Sequence, residues 1–417
     1  MRIAIRNGHI IDPKNGIDGI ADLHIDGEVI VPLSDSFEPE QIIDATNRVV
    51  CPGLVDLSFN LNRSEVGDRE LFAAAAAGVT TVALPPNSAS VIDSQAAVEL
   101  VRNRTERDGY AKTVQVGALT KNLEGIELSN MGALKRAGCV ALSNGMQHIT
   151  NSLIMLRTLE YAANHDITVI LHSQDSWLNN NGCMHDGSVS TRLGLNGIPD
   201  SAEIAGVARD LILIRDSGVQ AHFSGISSRG AIELIRSAQQ NGANITADVA
   251  AHSLYLTEVD VGEFNSLFHL IPPLRSERDR DELVKSVVNG SIQAICSDHQ
   301  PHNEDAKAAP FADTKPGAST VETLLPLTLR LAREHDISIS EALATVTYRP
   351  ANILGIEAGT LSDGAIADIT IYDPTEWWQI NADTLQSGGK NSPFLNWEMQ
   401  GKVHHTIING KTVYERS

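Results

Sequence analysis

From residue 51 to about residue 356 the sequence alternates short apolar runs with helix-patterned stretches, and few folds accept that rhythm over such a length. TTVALPP, KTVQVGAL, CVALSN, ITVILHS, VQAHFSG, ITADVAAHS and IQAICSDH read as strands. Between them AAVELVRNRTERD, MGALKRAG, NSLIMLRTLEYAANHD, DSAEIAGVARDLILIRDSG, RGAIELIRSAQQNG and DRDELVKSVVNG read as helices. Strand followed by helix, repeated, predicts parallel strands joined by right-handed crossovers. The unit count is close to that of a closed (β/α)8 barrel, which it favours over an open sheet.

The two chain ends follow a different pattern. MRIAIRN, GHIID, ADLHIDGEVIVPL with Asp26-Gly27 as a hairpin turn, and NRVV predict short strands near the start. GAIADITIYDP and KVHHTIINGKTVYER, with Asn409-Gly410 as a second turn, predict strands near the end. The expected architecture is therefore α/β: a (β/α)8 TIM-like barrel over 51–356, with a small β-sandwich domain formed by residues 1–50 and 357–417.

Charge narrows the partners. A formal net charge of −20 disfavours nucleic acid and anionic membrane, whose phosphates require a basic patch. No window approaches 18 apolar residues and the N-terminus lacks an apolar signal core, so neither a transmembrane helix nor a signal peptide is expected. Cys51, Cys139, Cys183 and Cys296 form no CxxC pair, and buried thiols in a reducing cytoplasm are expected.

In barrels of this kind chemistry sits at the C-terminal ends of the strands. The polar residues that close the runs are Ser58, Asn60, Asn87, Asn144, His172, Gly225, His252 and Asp298. Ser58 and Asn60 share one face of a strand by its two-residue period. Ser297-Asp298-His299-Gln300-Pro301-His302 directly follows an apolar strand, and a carboxylate there is placed to bind metal or take a proton from metal-bound water. His172 reads as a ligand or as a satisfied structural histidine. His252 and Asn87 read as ligand contacts or as loop-stabilising groups. His148, His165, His185 and His269 are expected to be solvated, and Pro272-Pro273-Leu274-Arg275 to be a stiff turn. There is no Walker loop, no GxGxxG after a strand and no GxSxG elbow, so phosphate-binding and serine-hydrolase chemistry lack support.

Taken together, DATNRVVCPGLVD, AAAAGVTTVALPPNS, the strand ending at His172, HFSGISS, ITADVAAHSLYLT, IPPLR, SDHQPH, YRPANILGI and GTLSDGAIADITIYDP resemble the dihydroorotase family of the amidohydrolase superfamily. The resemblance spans nearly the whole chain. It implies zinc-dependent opening and closure of the dihydroorotate ring in pyrimidine synthesis, with a strand-end aspartate as the proton shuttle.

The same resemblance implies that most of the metal site is missing. The two histidines of the family's His-x-His fall on Ser58 and Asn60. The bridging ligand falls at Asn144-Gly145, and the second histidine of H-x-x-H falls on Gly225, leaving only His222, whose family counterpart is not a ligand. His172 and Asp298 survive as vestigial ligands. Among substrate contacts, the family's arginine falls on Asn62, with neighbouring Arg63 a candidate substitute, and its asparagine falls on Ile271. Asn87 and His302 match family positions, and His252 joins Arg63 in a substrate-like pocket.

Some bacterial members of the family lack these ligands and serve as structural partners of aspartate transcarbamoylase. The expectation is thus a cytoplasmic, non-catalytic homologue, without catalytic residues or cofactor, that joins the aspartate transcarbamoylase catalytic chain in a homo-oligomeric assembly. The alternative is an active hydrolase with a rebuilt mononuclear zinc site, in which His222, His252 or Asp56 joins His172 and Asp298. A third reading is a metal-free sensor using the emptied pocket.

Overall fold

Eight parallel strands follow one another around a barrel in chain order: β1 (Leu54–Asp56), β2 (Val79–Leu84), β3 (Lys112–Ala118), β4 (Ala141–Ser143), β5 (Thr168–Leu171), β6 (Ala221–Phe223), β7 (Ile245–Ala250) and β8 (Ala294–Cys296). The computed structural model describes every residue except Ala89 and Ser417, and describes Arg63 by its backbone alone. The expected (β/α)8 barrel is what the chain forms.

Helices fill the crossovers, and their ends are set by local chemistry. The helix Gln95–Asp108 begins where the Ser94 hydroxyl accepts the Ala97 N–H, and ends at Gly109 with a left-handed φ of 70°. The strands are buried almost throughout, β2 at every residue, as expected for a parallel sheet covered by helices on one side and filled by side chains on the other.

The ring does not close by a full β1–β8 ladder. Near the base, the backbone of Thr345 and Val346 lies between the two strands. There Val346 O accepts the Val55 N–H at 2.8 Å, and Thr345 O accepts the Ile295 N–H at 3.0 Å. Higher up, Asp56 takes the Ser297 N–H at 2.8 Å and also the Ser297 hydroxyl. At the mouth, the Asn60 N–H donates to His299 O at 2.9 Å and the His299 N–H donates to Ser58 O at 3.1 Å. The residues flanking the seam are therefore those that open onto the site.

The chain ends meet in a second sheet of eight strands. In it Val49–Pro52, from the first end, pairs antiparallel with Ile369–Gln379, from the second. Ile11, Val49, Cys51, Tyr372, Phe394 and Val403 share an apolar cluster with barrel residues, so the sheet and the barrel have a continuous core. Gly78 marks their closest approach: its φ is 81°, and a Cβ would fall 2.5 Å from the Thr370 methyl, whose hydroxyl donates to Gly78 O at 2.6 Å.

A segment of the C-terminal region also braces the loop after β8. Ser387 and the Gly388 N–H hold the buried Glu70 carboxylate at 2.7 and 2.8 Å, and Glu70 in turn meets His299 Nε2 at 2.7 Å. Asn391 donates to Gln300 O at 3.1 Å and accepts the His302 N–H at 2.8 Å. The four cysteines are buried and free. Among the described residues no helix is long and apolar enough to cross a membrane.

Candidate functional site at the barrel mouth

A cavity of about 130 Å³ opens where the strands end. Its polar lining includes Ser58, Asn60, Asn87, His172 and Asp298, and its apolar walls include Pro86, Ile271 and Pro272. These are five of the strand-end groups read from sequence. Gly225 lines it too, with φ at 66°, and a Cβ there would lie 3.7 Å from His172 Nδ1. At the position where the resemblance leads one to expect a second histidine, Gly225 leaves open space beside His172.

Asp298 is the chemical centre. It stands two residues beyond β8 with a left-handed φ of 49°, which directs it out of the strand's pleat. Its Oδ1 accepts the Ser58 hydroxyl at 3.1 Å and the Gln300 amide at 3.0 Å, both neutral donors. Burial lifts its pKa to about 6, against the lowering effect of those two bonds, and the neighbouring Asp248 charge pushes the same way as burial. His172 is held neutral, its pKa pushed down to about 4 by burial and then by the facing His148, whose ring centroid is 5.9 Å away.

Other candidates take structural roles. Asn60 Oδ1 accepts the Asn62 N–H at 3.0 Å within its own loop. Asn144 does not line the cavity: its Oδ1 accepts the Thr120 hydroxyl at 2.8 Å, and its amide donates to Leu123 O and Gln147 O at 3.0 and 2.8 Å. The position facing the cavity at the end of β4 is Ser143, followed by Gly145, because β4 stops at Ser143 and the strand period turns Asn144 away.

His302 also lies off this cavity. Its Nδ1 meets Glu65 at 2.9 Å and its Nε2 meets Pro316 O at 3.0 Å. Asn62 donates to Pro301 O at 2.6 Å rather than pointing inward. His252 is buried away from the cavity, its Nδ1 without a partner and its pKa driven down to about 4 by burial. The Arg63 side chain lies outside the described residues.

Two histidines expected to be solvated are buried. His269 bonds Thr314 at 2.8 Å and stacks on Phe311, and His185 meets Arg275 at 3.2 Å. Arg275 is not part of a plain turn, since it is buried against Glu203 and Ser227.

Sequence reading missed Asp248. It sits inside β7, fully buried, with Oδ2 on His222 Nε2 at 2.9 Å and Oδ1 accepting the Gly225 N–H at 2.6 Å. The signal was present as a lone acidic residue inside an apolar strand, TADVA. The pair with His222 could not be read, since it crosses between β6 and β7.

The zinc that the family resemblance implies does not fit these side chains. A catalytic zinc takes three protein ligands and an open position. His172 and Asp298 are two, and the alternative recruits are committed elsewhere: His222 to Asp248 and Thr246, Asp56 to Ser297, and His252 outside the cavity. Among the described residues, the one group of three candidate ligand side chains with donor atoms within 4.8 Å is Asp373, Glu376 and His404, in the terminal sheet.

Comparison with known proteins places this geometry in a family. Residues 47–231 match the Dihydro-orotase-like family and residues 312–414 match an Amidohydrolase family. A dihydroorotase-like protein of Pseudomonas putida is 43% identical over 98% of each chain, and one of Pseudomonas aeruginosa is 41% identical over 100% of each. A dihydroorotase of Geobacter sp. strain M21 is 38% identical, again over 100% of both chains. An L-hydantoinase structure from Arthrobacter aurescens superposes with a TM-score of 0.86 at 20% identity, covering 100% of this chain and 96% of that one, which speaks to fold alone. With relatives this similar along its whole length, the chain belongs to the dihydroorotase-like family of amidohydrolases.

Proposed function

We propose that this chain is a non-catalytic dihydroorotase homologue that acts in the cytoplasm as a structural partner of the aspartate transcarbamoylase catalytic chain, within a homo-oligomeric assembly serving pyrimidine synthesis. The observation that carries the reading is the state of Asp298. Its carboxylate is engaged by Ser58, which stands where the family places a metal-binding histidine, and by Gln300. The position beside His172 is the glycine at 225.

Zinc in this superfamily lowers the pKa of water from about 15.7 towards about 7. Without that shift hydroxide is too scarce at neutral pH to open a ring amide. A scaffold kept whole while its metal ligands are lost on several strands supports a role exercised by the surface rather than the cavity. The partner itself is inferred from the resemblance to ligand-poor members of the family.

The test is co-purification from the source cell. The transcarbamoylase should co-elute with this chain and lose assembly and activity when the chain is deleted. A transcarbamoylase that is fully assembled and active without it would overturn the proposal. Purified chain should carry well under one zinc per protomer and show no dihydroorotate turnover.

A further inference from the structure

The cavity's electrostatics are the reverse of what a dicarboxylate such as carbamoyl aspartate requires. Among the described residues no lysine or arginine lines it. Ile271 contributes an apolar wall.

Against this stands one carboxylate with half of its acceptor capacity unused. Asp298 lines the cavity; its Oδ1 holds Ser58 and Gln300, whereas Oδ2 has no hydrogen-bond partner among the described residues. The adjacent imidazole makes its hydrogen bonds elsewhere. His299 Nε2 faces Glu70 at 2.7 Å, and Nδ1 accepts the Thr320 N–H at 3.1 Å. A carboxylate partly withdrawn from solvent favours a cation at its open side, and no cationic side chain among the described residues lines this cavity.

We propose that the barrel-mouth cavity binds a small nitrogenous cation of the amidine, guanidine or amine class, with Asp298 Oδ2 as its counter-ion and Pro86, Ile271 and Pro272 as apolar walls around its carbon skeleton. Two glycines leave room for it. Gly145 and Gly225 sit beside Pro86 and Pro272, where a Cβ would make ordinary contacts at 3.7 Å and any longer side chain would enter the cavity. The inference does not depend on the transcarbamoylase partnership. A chain that assembles with another enzyme and one that does not would present the same cavity.

Benzamidine and benzoate, alike in shape and opposite in charge, separate the possibilities. Calorimetric titration of the full-length chain should give benzamidine at least about tenfold tighter binding than benzoate or carbamoyl aspartate, equivalent to about 1.4 kcal/mol. Asp298→Asn keeps the shape, suits the left-handed backbone and still accepts from Ser58 and Gln300. It should lose that preference with its melting transition retained. Met146→Trp, at the half-exposed rim of the cavity, should weaken benzamidine by obstruction and provides a second variant. Benzoate binding as well as benzamidine overturns the proposal, as does no binding of either at millimolar concentration. Benzamidine binding unchanged in both variants also overturns it, since that is attraction to the chain's net charge of −20.

Discussion

Asp56 and Asp298 lie on either side of the β1–β8 seam, and burial lifts both to a pKa of about 6, yet they are used in opposite ways. Asp56 spends both oxygens on the scaffold: Oδ1 takes the Ser297 N–H at 2.8 Å and the Ser58 N–H at 3.4 Å, and Oδ2 takes the Ser297 hydroxyl. Asp298 spends one oxygen and leaves the other to the cavity. Asp56 is fully buried and Asp298 only partly, and the two differ in whether their neighbours satisfy them. The carboxylate that links the seam is satisfied by its neighbours, and the one at the cavity wall is satisfied on one oxygen only.

The largest expected difference is in stability. Asp56→Ala removes the acceptor for two buried groups of Ser297 at the polar link across the middle of the seam. Orphaned buried donors cost about 1–3 kcal/mol each, so a loss of about 3–5 kcal/mol is expected in urea unfolding. Asp298→Ala, next to an open cavity, should cost under about 1 kcal/mol. Equal losses would dissolve the distinction between the two sites.

A smaller effect follows from the titration of Asp298. Its folded pKa is about 6 against an ordinary 3.8, so between those values the folded chain holds a proton that the unfolded chain has released. Stability attached to this group is thus full below about pH 4, falls as pH rises to about 6 and is flat above. Roughly two pH units at about 1.4 kcal/mol each set a ceiling near 3 kcal/mol. Asp298→Asn should recover about 2 kcal/mol at pH 8 and nothing at pH 4, read by denaturant unfolding at the two pH values. Asp56→Asn should show a smaller gain, because its new amide would either oppose the Ser297 N–H or force the Ser297 hydroxyl to turn its proton away from residue 56. A comparable gain at both positions would mean that the donors around Asp56 are weaker than their geometry implies.

How much of this was legible in sequence depended on the range of the interactions involved. The strand–helix alternation is local, so the barrel and the strand-end positions of Ser58, Asn60, His172 and Asp298 could be read directly. The misplacement of Asn144 came from a strand only three residues long, Ala141–Ser143, where a one-residue shift reverses the facing side. His302 shares a short motif with Asp298, but it is claimed by Glu65, 237 positions earlier in the chain. Asp248 and His222 are individually unremarkable in sequence and acquire meaning only when β6 and β7 lie side by side. Contacts between distant segments decide which polar groups remain available, and these are what a linear reading lacks.

The smallest expected effect is a null, and it tests whether the proposed lack of turnover has its origin at more than one strand end. Ser58→His/Asn60→His installs the two histidines expected from the family resemblance, but the new residue at 58 also removes the hydroxyl that supports Asp298 Oδ1. Ser143 and Gly145 still supply no bridging ligand, Gly225 still supplies no imidazole, and Ile271 still presents an apolar wall to any carboxylate. Dihydroorotate turnover in the zinc-supplemented double variant should therefore stay at the background of the parent chain, even if elemental analysis shows added zinc. Measurable turnover would place the whole defect at β1 and make Asp298 a catalytic residue lacking only its metal. Zinc uptake without turnover would instead separate the metal defect from the substrate defect, as expected when several strand ends have diverged independently.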